Sequence, residues 1–324
     1  MLALLLNDSK QGDPCSKAAC LCLTCQVPSA SEKTPNSSSP QTSVKLDSGA
    51  QARFSRDGEE WTLIVDGTPQ SAVNPLDPRE LSFGYIRHMG YVLDLAFPEA
   101  AAITALHLGA GALTIPRYVD ATRPRSRQQV VELERSLVDF VREVVPLPAG
   151  ASIRIRYGDA REQLGRLPRG LLGSVDAIVV DIFSGAQTPA HVTSAEFFSE
   201  LEPFLRPDGV VLVNIADGHD LSFARAEVAT LLEVFGEVTL VGDPAMLKGR
   251  RFGNIAAVAS RSAEALALPG LERRVASGFP PAVVVRGKAV REFVRGADPA
   301  RDASATASPL PGKSLFRERR QGGW

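Results

Sequence analysis

The chain has 324 residues, 36 basic and 37 acidic side chains, and a formal net charge of -1. Interspersed charges of both signs exclude the electrostatic footprint of a nucleic-acid or anionic-membrane binder, and no apolar run approaches the roughly 20 residues of a membrane span. With 44% hydrophobic residues the chain can build a sizeable core, as one large or two modest domains of a soluble protein.

The opening Met1-Leu2-Ala3-Leu4-Leu5-Leu6 lacks a basic start and is too short for a secretory signal, so the expected location is cytoplasmic. Cys15, Cys20, Cys22 and Cys25 all fall in this first part, without the two Cys-x-x-Cys pairs or the nearby histidine of a structural zinc site. No metal is expected. Residues 26–50 are rich in Ser, Pro and Thr and cannot bury enough apolar surface to order themselves, so residues 1–50 read as a disordered extension. Residues 51–100 read as a small β platform: Ala52-Arg53-Phe54-Ser55, Trp61-Thr62-Leu63-Ile64-Val65 and Thr68-Pro69-Gln70-Ser71-Ala72-Val73, joined by Asp57-Gly58 and Asp66-Gly67 turns. Leu81, Tyr85, His88, Met89, Val92 and Leu95 recur at three- and four-residue steps and predict an amphipathic helix that stops before Pro98.

From Ala101 strands alternate with helices, the sequence form of a mostly parallel sheet covered on both faces. Strands are predicted over 103–108, 129–133, 153–157, 176–180 and 210–215, and helices over 133–144, 193–205 and 223–235. The third of those helices is preceded by a turn at Arg206-Pro207-Asp208-Gly209 and the strand after it, and the second opens on Thr193-Ser194-Ala195-Glu196, which has the spacing of a capping box. Residues 238–241 and 255–259 read as closing strands paired antiparallel across a short polar loop. The fold class is therefore α/β: a Rossmann-like, methyltransferase-type doubly wound sheet over 101–290 with a closing antiparallel hairpin, preceded by the β platform. Residues 291–324 read as a loose tail.

In an open parallel sheet, ligands bind at the carboxyl ends of the strands. Here those ends carry Gly109-Ala110-Gly111, Glu132, Asp159 and Asp181. Glycine tolerates positive φ and lets a ligand lie against the main chain. A carboxylate about twenty residues later, Glu132, has the placement that accepts both ribose hydroxyls, and Asp159 is placed for a base amine. Asp181 ends the apolar strand Ile178-Val179-Val180 beside a loop, residues 182–190, long enough to cover a pocket. It is read either as a proton acceptor or as a cap of the next turn.

With these residues in place, the chain resembles the polyamine aminopropyltransferase (spermidine synthase) family over roughly residues 50–290. Asp66-Gly67-Thr68-Pro69-Gln70 is similar to that family's Asp-Gly-x-x-Gln segment, so the resemblance implies that Gln70 contacts a nucleoside donor. It further implies an amine-pocket role for Tyr85, ribose binding by Glu132, adenine binding by Asp159-Ala160 and proton acceptance by Asp181. The donor it implies is decarboxylated S-adenosylmethionine, the acceptor a small-molecule amine, and the assembly a homodimer through the platform. Two positions depart from the family pattern. Ala112 or Leu113 stands where an amine-holding Asp follows the glycines, and Ser184 where a second acid follows the catalytic one. Asp217, Asp220, Asp77 and Glu80 are candidate replacements. Methyl transfer from S-adenosylmethionine, or nucleoside binding without turnover, remain alternatives on the same rim. A nicotinamide dehydrogenase fits less well, because Thr114 occupies the third Gly or Ala of that fingerprint.

Overall fold

The computed structural model describes residues 43–311. The cysteines, and residues 1–42 of the extension expected over 1–50, lie outside the described residues.

The first sheet is antiparallel in the order β1 (Ser43–Lys45), β2 (Gln51–Asp57), β3 (Glu60–Val65), β4 (Thr68–Val73). Asp66 and Gly67 turn the last hairpin at φ 47° and 79°. Two left-handed residues match the twist of the flanking strands, which is why Asp-Gly serves there. Residues 43–50, expected to belong to the extension, instead contribute β1 and part of the core beneath this sheet. Leu46 is 6% exposed and belongs to one cluster with Phe54, Leu63, Leu137 and Phe140. Its burial contributes about 2 kcal/mol, which a three-residue strand of alternating exposure does not announce in sequence.

Next comes α1 (Gly84–Ala96), which buries Ile86, Met89, Val92 and Leu93 and ends at Phe97, before Pro98. The alternating segment then runs β5 (Thr104–Leu108), α2 (Thr114–Thr122), β6 (Arg127–Glu132), α3 (Arg135–Val144), β7 (Ile153–Tyr157), α4 (Ala160–Leu164), β8 (Val175–Val180), α5 (Ala195–Leu201), β9 (Leu205–Asp217), α6 (Ser222–Phe235) and β10 (Glu237–Gly242). It closes with α7 (Pro244–Leu247), β11 (Gly253–Ser260), α8 (Leu271–Ser277), β12 (Val283–Arg286) and α9 (Lys288–Val294).

The second sheet has the order β12-β10-β11-β9-β8-β5-β6-β7. Strands β9, β8, β5, β6 and β7 are parallel, while β11 pairs antiparallel with both β9 and β10. Side chains alternate across it with the period of two that a strand imposes. Leu106, Leu108, Ile178, Val180, Val211 and Val213 meet Phe197, Phe198 and Leu231 on one face. Ala105, Ala177, Val179, Val210 and Leu212 meet Met89, Val92 and Val119 on the other. The chain leaves β5 toward β6 and returns on its other side as β8, so β5 and β8 flank the topological switch point.

Four sequence expectations are corrected. The closing hairpin is extended by β12, which pairs with β10. At α5 the cap is Ser194, whose Oγ accepts the Phe197 N–H at 3.2 Å. Thr193 instead donates to the Ala190 carbonyl, and Glu196 accepts the Asp302 N–H, so no capping box forms. The α-helix stops at Leu201 and β9 starts at Leu205, with a register shift that lets residues 206–209 bulge between Leu205 and Val210. Finally, the chain after residue 290 is not loose within the described residues. Beyond α9 the Ala195 N–H donates to the Ala300 carbonyl and the Ala300 N–H to Thr230 Oγ1, while Arg161 pairs with Asp302 at 2.7 Å. Ser308 is wholly buried. A segment of Ala, Ser, Pro and Arg has no hydrophobic period, and its order comes from hydrogen bonds to partners seventy or more residues away.

Candidate active site

A cleft of about 1770 Å³ opens at the carboxyl ends of the parallel strands and is bounded by the first sheet, α1 and residues 182–191. Along its rim stand Asn214 from β9, Asp181 after β8, Gly109–Gly111 after β5, Glu132 at the end of β6 and Asp159 after β7. Gln70, Tyr85, Ala160 and Ser184 also line it.

Gly109 has φ 93°, and a Cβ there would lie 2.1 Å from the Asp181 carbonyl oxygen. Any side chain would drive β5 and β8 apart at the switch point. The glycine is therefore required by the protein's own backbone, before any ligand is considered. Gly111, at φ 50°, is less crowded, with Ser71 3.2 Å from such an atom. Ala112 and Leu113 are wholly buried with α3 and do not line the cleft.

Glu132 is held by the glycine turn. Its Oε2 accepts the Ala110 N–H at 2.8 Å and its Oε1 the Glu134 N–H at 2.9 Å. Burial pushes its carboxyl above the ordinary value, while those amides pull it back toward the ionised form. Each carboxylate oxygen has a second lone pair, enough for one ribose hydroxyl apiece. Asp159 caps α4: Oδ1 accepts from the Arg161 and Glu162 amides, and Oδ2 lies 2.7 Å from His191 Nε2. Burial alone would raise its pKa, but the Glu162 amide and His191 together hold it below the usual value.

Asp181 sits at the centre of a polar chain. Tyr85 Oη donates to its Oδ2 at 3.2 Å, Asn214 Nδ2 to its Oδ1 at 2.7 Å, and Asn254 Nδ2 to Asn214 Oδ1 at 2.9 Å. Burial raises the Asp181 pKa against the pull of Asn214 and Tyr85. Burial and the neighbouring carboxylate push the Tyr85 phenol well above 10, so it remains a donor. A carboxylate fixed in this way, and made more basic by burial, is suited to take a proton.

The loop after Asp181 is tied from both sides. Gln70 Nε2 donates to the Gly185 carbonyl at 3.0 Å, and Ser184 and Gln187 exchange backbone hydrogen bonds across Gly185. Thr188 and Ser308 bond each other twice, the Thr188 N–H to Ser308 Oγ at 2.8 Å and the Ser308 N–H to the Thr188 carbonyl at 3.0 Å.

His191 and Asn214 escaped the sequence reading. Asn214 left a signal, since it is the polar residue inside the apolar run 210–215. His191 left none, because its partner lies 32 positions away. Of the candidate replacement acids, Asp217 is 1% exposed and caps α6 through the Gly218 and Ala224 amides. Asp220 holds Ser222, Asp77 holds Arg79 and Glu80 accepts from Asn74; none of the four lines the cleft. Among the described residues no cluster of three or more His, Cys, Asp or Glu is arranged to hold a metal ion, and no helix is long and apolar enough to cross a membrane.

A doubly wound parallel sheet with an antiparallel closing edge, and carboxylates at successive strand ends, is a Rossmann-like domain of the methyltransferase type. No family model matches the chain. It is 28% identical to a polyamine aminopropyltransferase of Neisseria meningitidis over 197 residues, 60% of this chain and 70% of that protein. It is 28% identical to the polyamine aminopropyltransferase of Chromobacterium violaceum over 219 residues, 67% of this chain and 78% of that one. The crystal structure of a probable spermidine synthase from Corynebacterium glutamicum matches 80% of this chain and 95% of its own, with 32% identity and a TM-score of 0.71. The chain belongs to the spermidine synthase family of polyamine aminopropyltransferases.

Proposed function

We propose that the protein transfers an aminopropyl group from decarboxylated S-adenosylmethionine to a small-molecule amine. The acceptor nitrogen attacks the methylene carbon beside the sulfonium, the carbon–sulfur bond breaks, methylthioadenosine leaves, and the proton lost by the nitrogen passes to Asp181. The observation that carries this reading is Asp181 itself, half-buried at the switch point and oriented by Tyr85 and Asn214. In-line placement of the two reactants supplies most of the rate and the general base the rest.

In this reading Glu132 receives the ribose hydroxyls and Asp159-Ala160 the adenine edge, with Asp159 shared with His191. Gln70 borders the donor and ties down the loop carrying Ser184, which with Tyr85 belongs to the acceptor side. Charge supports the decarboxylated donor: Glu132, Asp159 and Asp181 put three carboxylates on the strand-end rim, while of the lining arginines, Arg53 and Arg251, the latter is paired with Asp243. The reading takes the enzyme to be cytoplasmic and, following the family resemblance, a homodimer through its first sheet. Calorimetry with decarboxylated S-adenosylmethionine, S-adenosylmethionine and methylthioadenosine, followed by product analysis with a panel of amines, tests it. Tight binding of the first and third with amine-dependent release of methylthioadenosine is expected. Methyl transfer, or no product with any amine, would overturn it.

A further inference from the structure

Resting on the reading that Asp159 receives the base of the nucleoside, we infer that Asp302, on the segment that follows α9, is a positioning residue of the base site, acting through Arg161 and His191. The juxtaposition behind this is a ring of hydrogen bonds around residues 188–194, which carry His191. Two ties from the segment flank that histidine. On one side Ser308 and Thr188 bond each other twice, and Gln187 Nε2 donates to the Ser308 carbonyl. On the other, Ser194 Oγ donates to Asp302 Oδ1 while it accepts the Phe197 N–H at the start of α5. The segment also forms part of the wall itself, since Ala307 and Pro311 line the cleft.

Arg161, in the first turn of α4, closes the ring. Its Nη1 donates to Asp302 Oδ1 at 2.7 Å and to the His191 carbonyl at 3.1 Å, and its Nη2 to Asp302 Oδ2 at 2.9 Å. Nε and Nη2 both donate to Glu200 Oε1, at 2.9 and 2.7 Å. Every N–H of the guanidinium is therefore engaged by the protein, and Arg161 has none to offer a ligand. A bidentate pair inside a network is the form of surface ion pair that holds geometry. Held by its carbonyl, His191 presents Nε2 to Asp159 Oδ2 at 2.7 Å, and because an ionised carboxylate only accepts, Nε2 carries the proton.

The consequence falls on Asp159. Its Oδ1 is bound by the Arg161 and Glu162 amides, and His191 takes one of the two lone pairs of Oδ2. Those bonds fix the plane of the carboxylate and leave one acceptor site on Oδ2 in the cleft that Asp159 and His191 both line. A single fixed acceptor selects a purine with an exocyclic amine at that edge over one with an oxo group, whose oxygen would meet the carboxylate unpaired. Without Asp302 the guanidinium keeps only the Glu200 carboxylate and turns toward it, the His191 carbonyl is released, and Asp159 loses the bond that sets its plane.

The test uses the full-length enzyme and calorimetry with methylthioadenosine and methylthioinosine, whose bases differ at that edge. The wild type is expected to prefer methylthioadenosine by about tenfold or more, and Asp302→Ala and His191→Ala each to reduce the ratio of affinities by about threefold or more. A fold that had merely loosened would weaken both nucleosides alike and leave the ratio where it was. Asp159→Asn, which can turn an amide NH2 toward the base, should abolish the preference. A ratio unchanged in Asp302→Ala or in His191→Ala, with Asp159→Asn abolishing it, overturns the inference and leaves the nucleoside site in place. A ratio that Asp159→Asn leaves intact overturns both.

Discussion

Asp181→Asn separates chemistry from binding. The carboxylate accepts from Asn214 on one oxygen and from Tyr85 on the other. An asparagine amide can keep the Asn214 bond through its oxygen and donate its NH2 to Tyr85 Oη, because a phenol accepts as well as donates. The network survives at a cost of about 1 kcal/mol or less. Removing a buried charge works in the opposite sense. Since the folded-state pKa of Asp181 is raised, ionising it weakens the fold as pH climbs from the unfolded pKa through the folded one. Above that window the mutant should melt at the wild-type temperature or higher. Turnover has no such compensation: without a base at the switch point, methylthioadenosine release should fall by about a hundred- to ten-thousandfold. Donor affinity by calorimetry should stay within about threefold. The wild-type kcat/KM should lose activity on acidification through the raised Asp181 pKa, and the mutant's residual activity should lack that limb. Full activity in the mutant, or loss of donor binding with an unchanged melt, would refute the assignment.

Glu132→Gln puts an amide NH2 against either the Ala110 or the Glu134 amide, so one backbone donor loses its acceptor. Melting should report a loss of about 1–3 kcal/mol, and methylthioadenosine affinity should fall by about 1.5–3 kcal/mol; unchanged affinity would move the ribose site elsewhere. Asp302 is held near 2 by Arg161 and Ser194, so its docking contribution is present above the unfolded carboxylate value and lost as pH falls through about 2. Asp302→Asn should accordingly speed proteolytic cleavage within residues 298–311 at neutral pH, and an unchanged cleavage rate would count against that anchor. Deleting residues 1–42 should leave the cooperative melt in place, whereas deleting 1–50 removes β1 and Leu46 and should cost about 2–4 kcal/mol. Equal melts for the two truncations would contradict the packing of Leu46.

By itself the sequence determined the elements whose physics is local. Short β-branched apolar runs such as Ala177-Ile178-Val179-Val180 read as buried strands, Asp66-Gly67 can hold the left-handed pair of a hairpin, and the alternation of strand and helix from Ala101 leads to a parallel sheet whose carboxyl ends carry Gly109, Glu132, Asp159 and Asp181. Placing those four on one rim needs only connectivity and the handedness of crossovers. What required the tertiary structure was every feature whose partner lies far along the chain. That Gly109 is demanded by the Asp181 carbonyl, that Asp159 is shared with His191, that Asn214 and Tyr85 orient Asp181, and that Ser308 clasps Thr188 all depend on distances between segments that no periodicity encodes. The same holds for Asp217, which reads as a rim acid in sequence and is a buried helix cap in the fold. A carboxylate's type and position in a strand are written locally, but whether it faces a ligand or an amide of its own chain is decided by which backbone donors the fold brings within 3 Å of it.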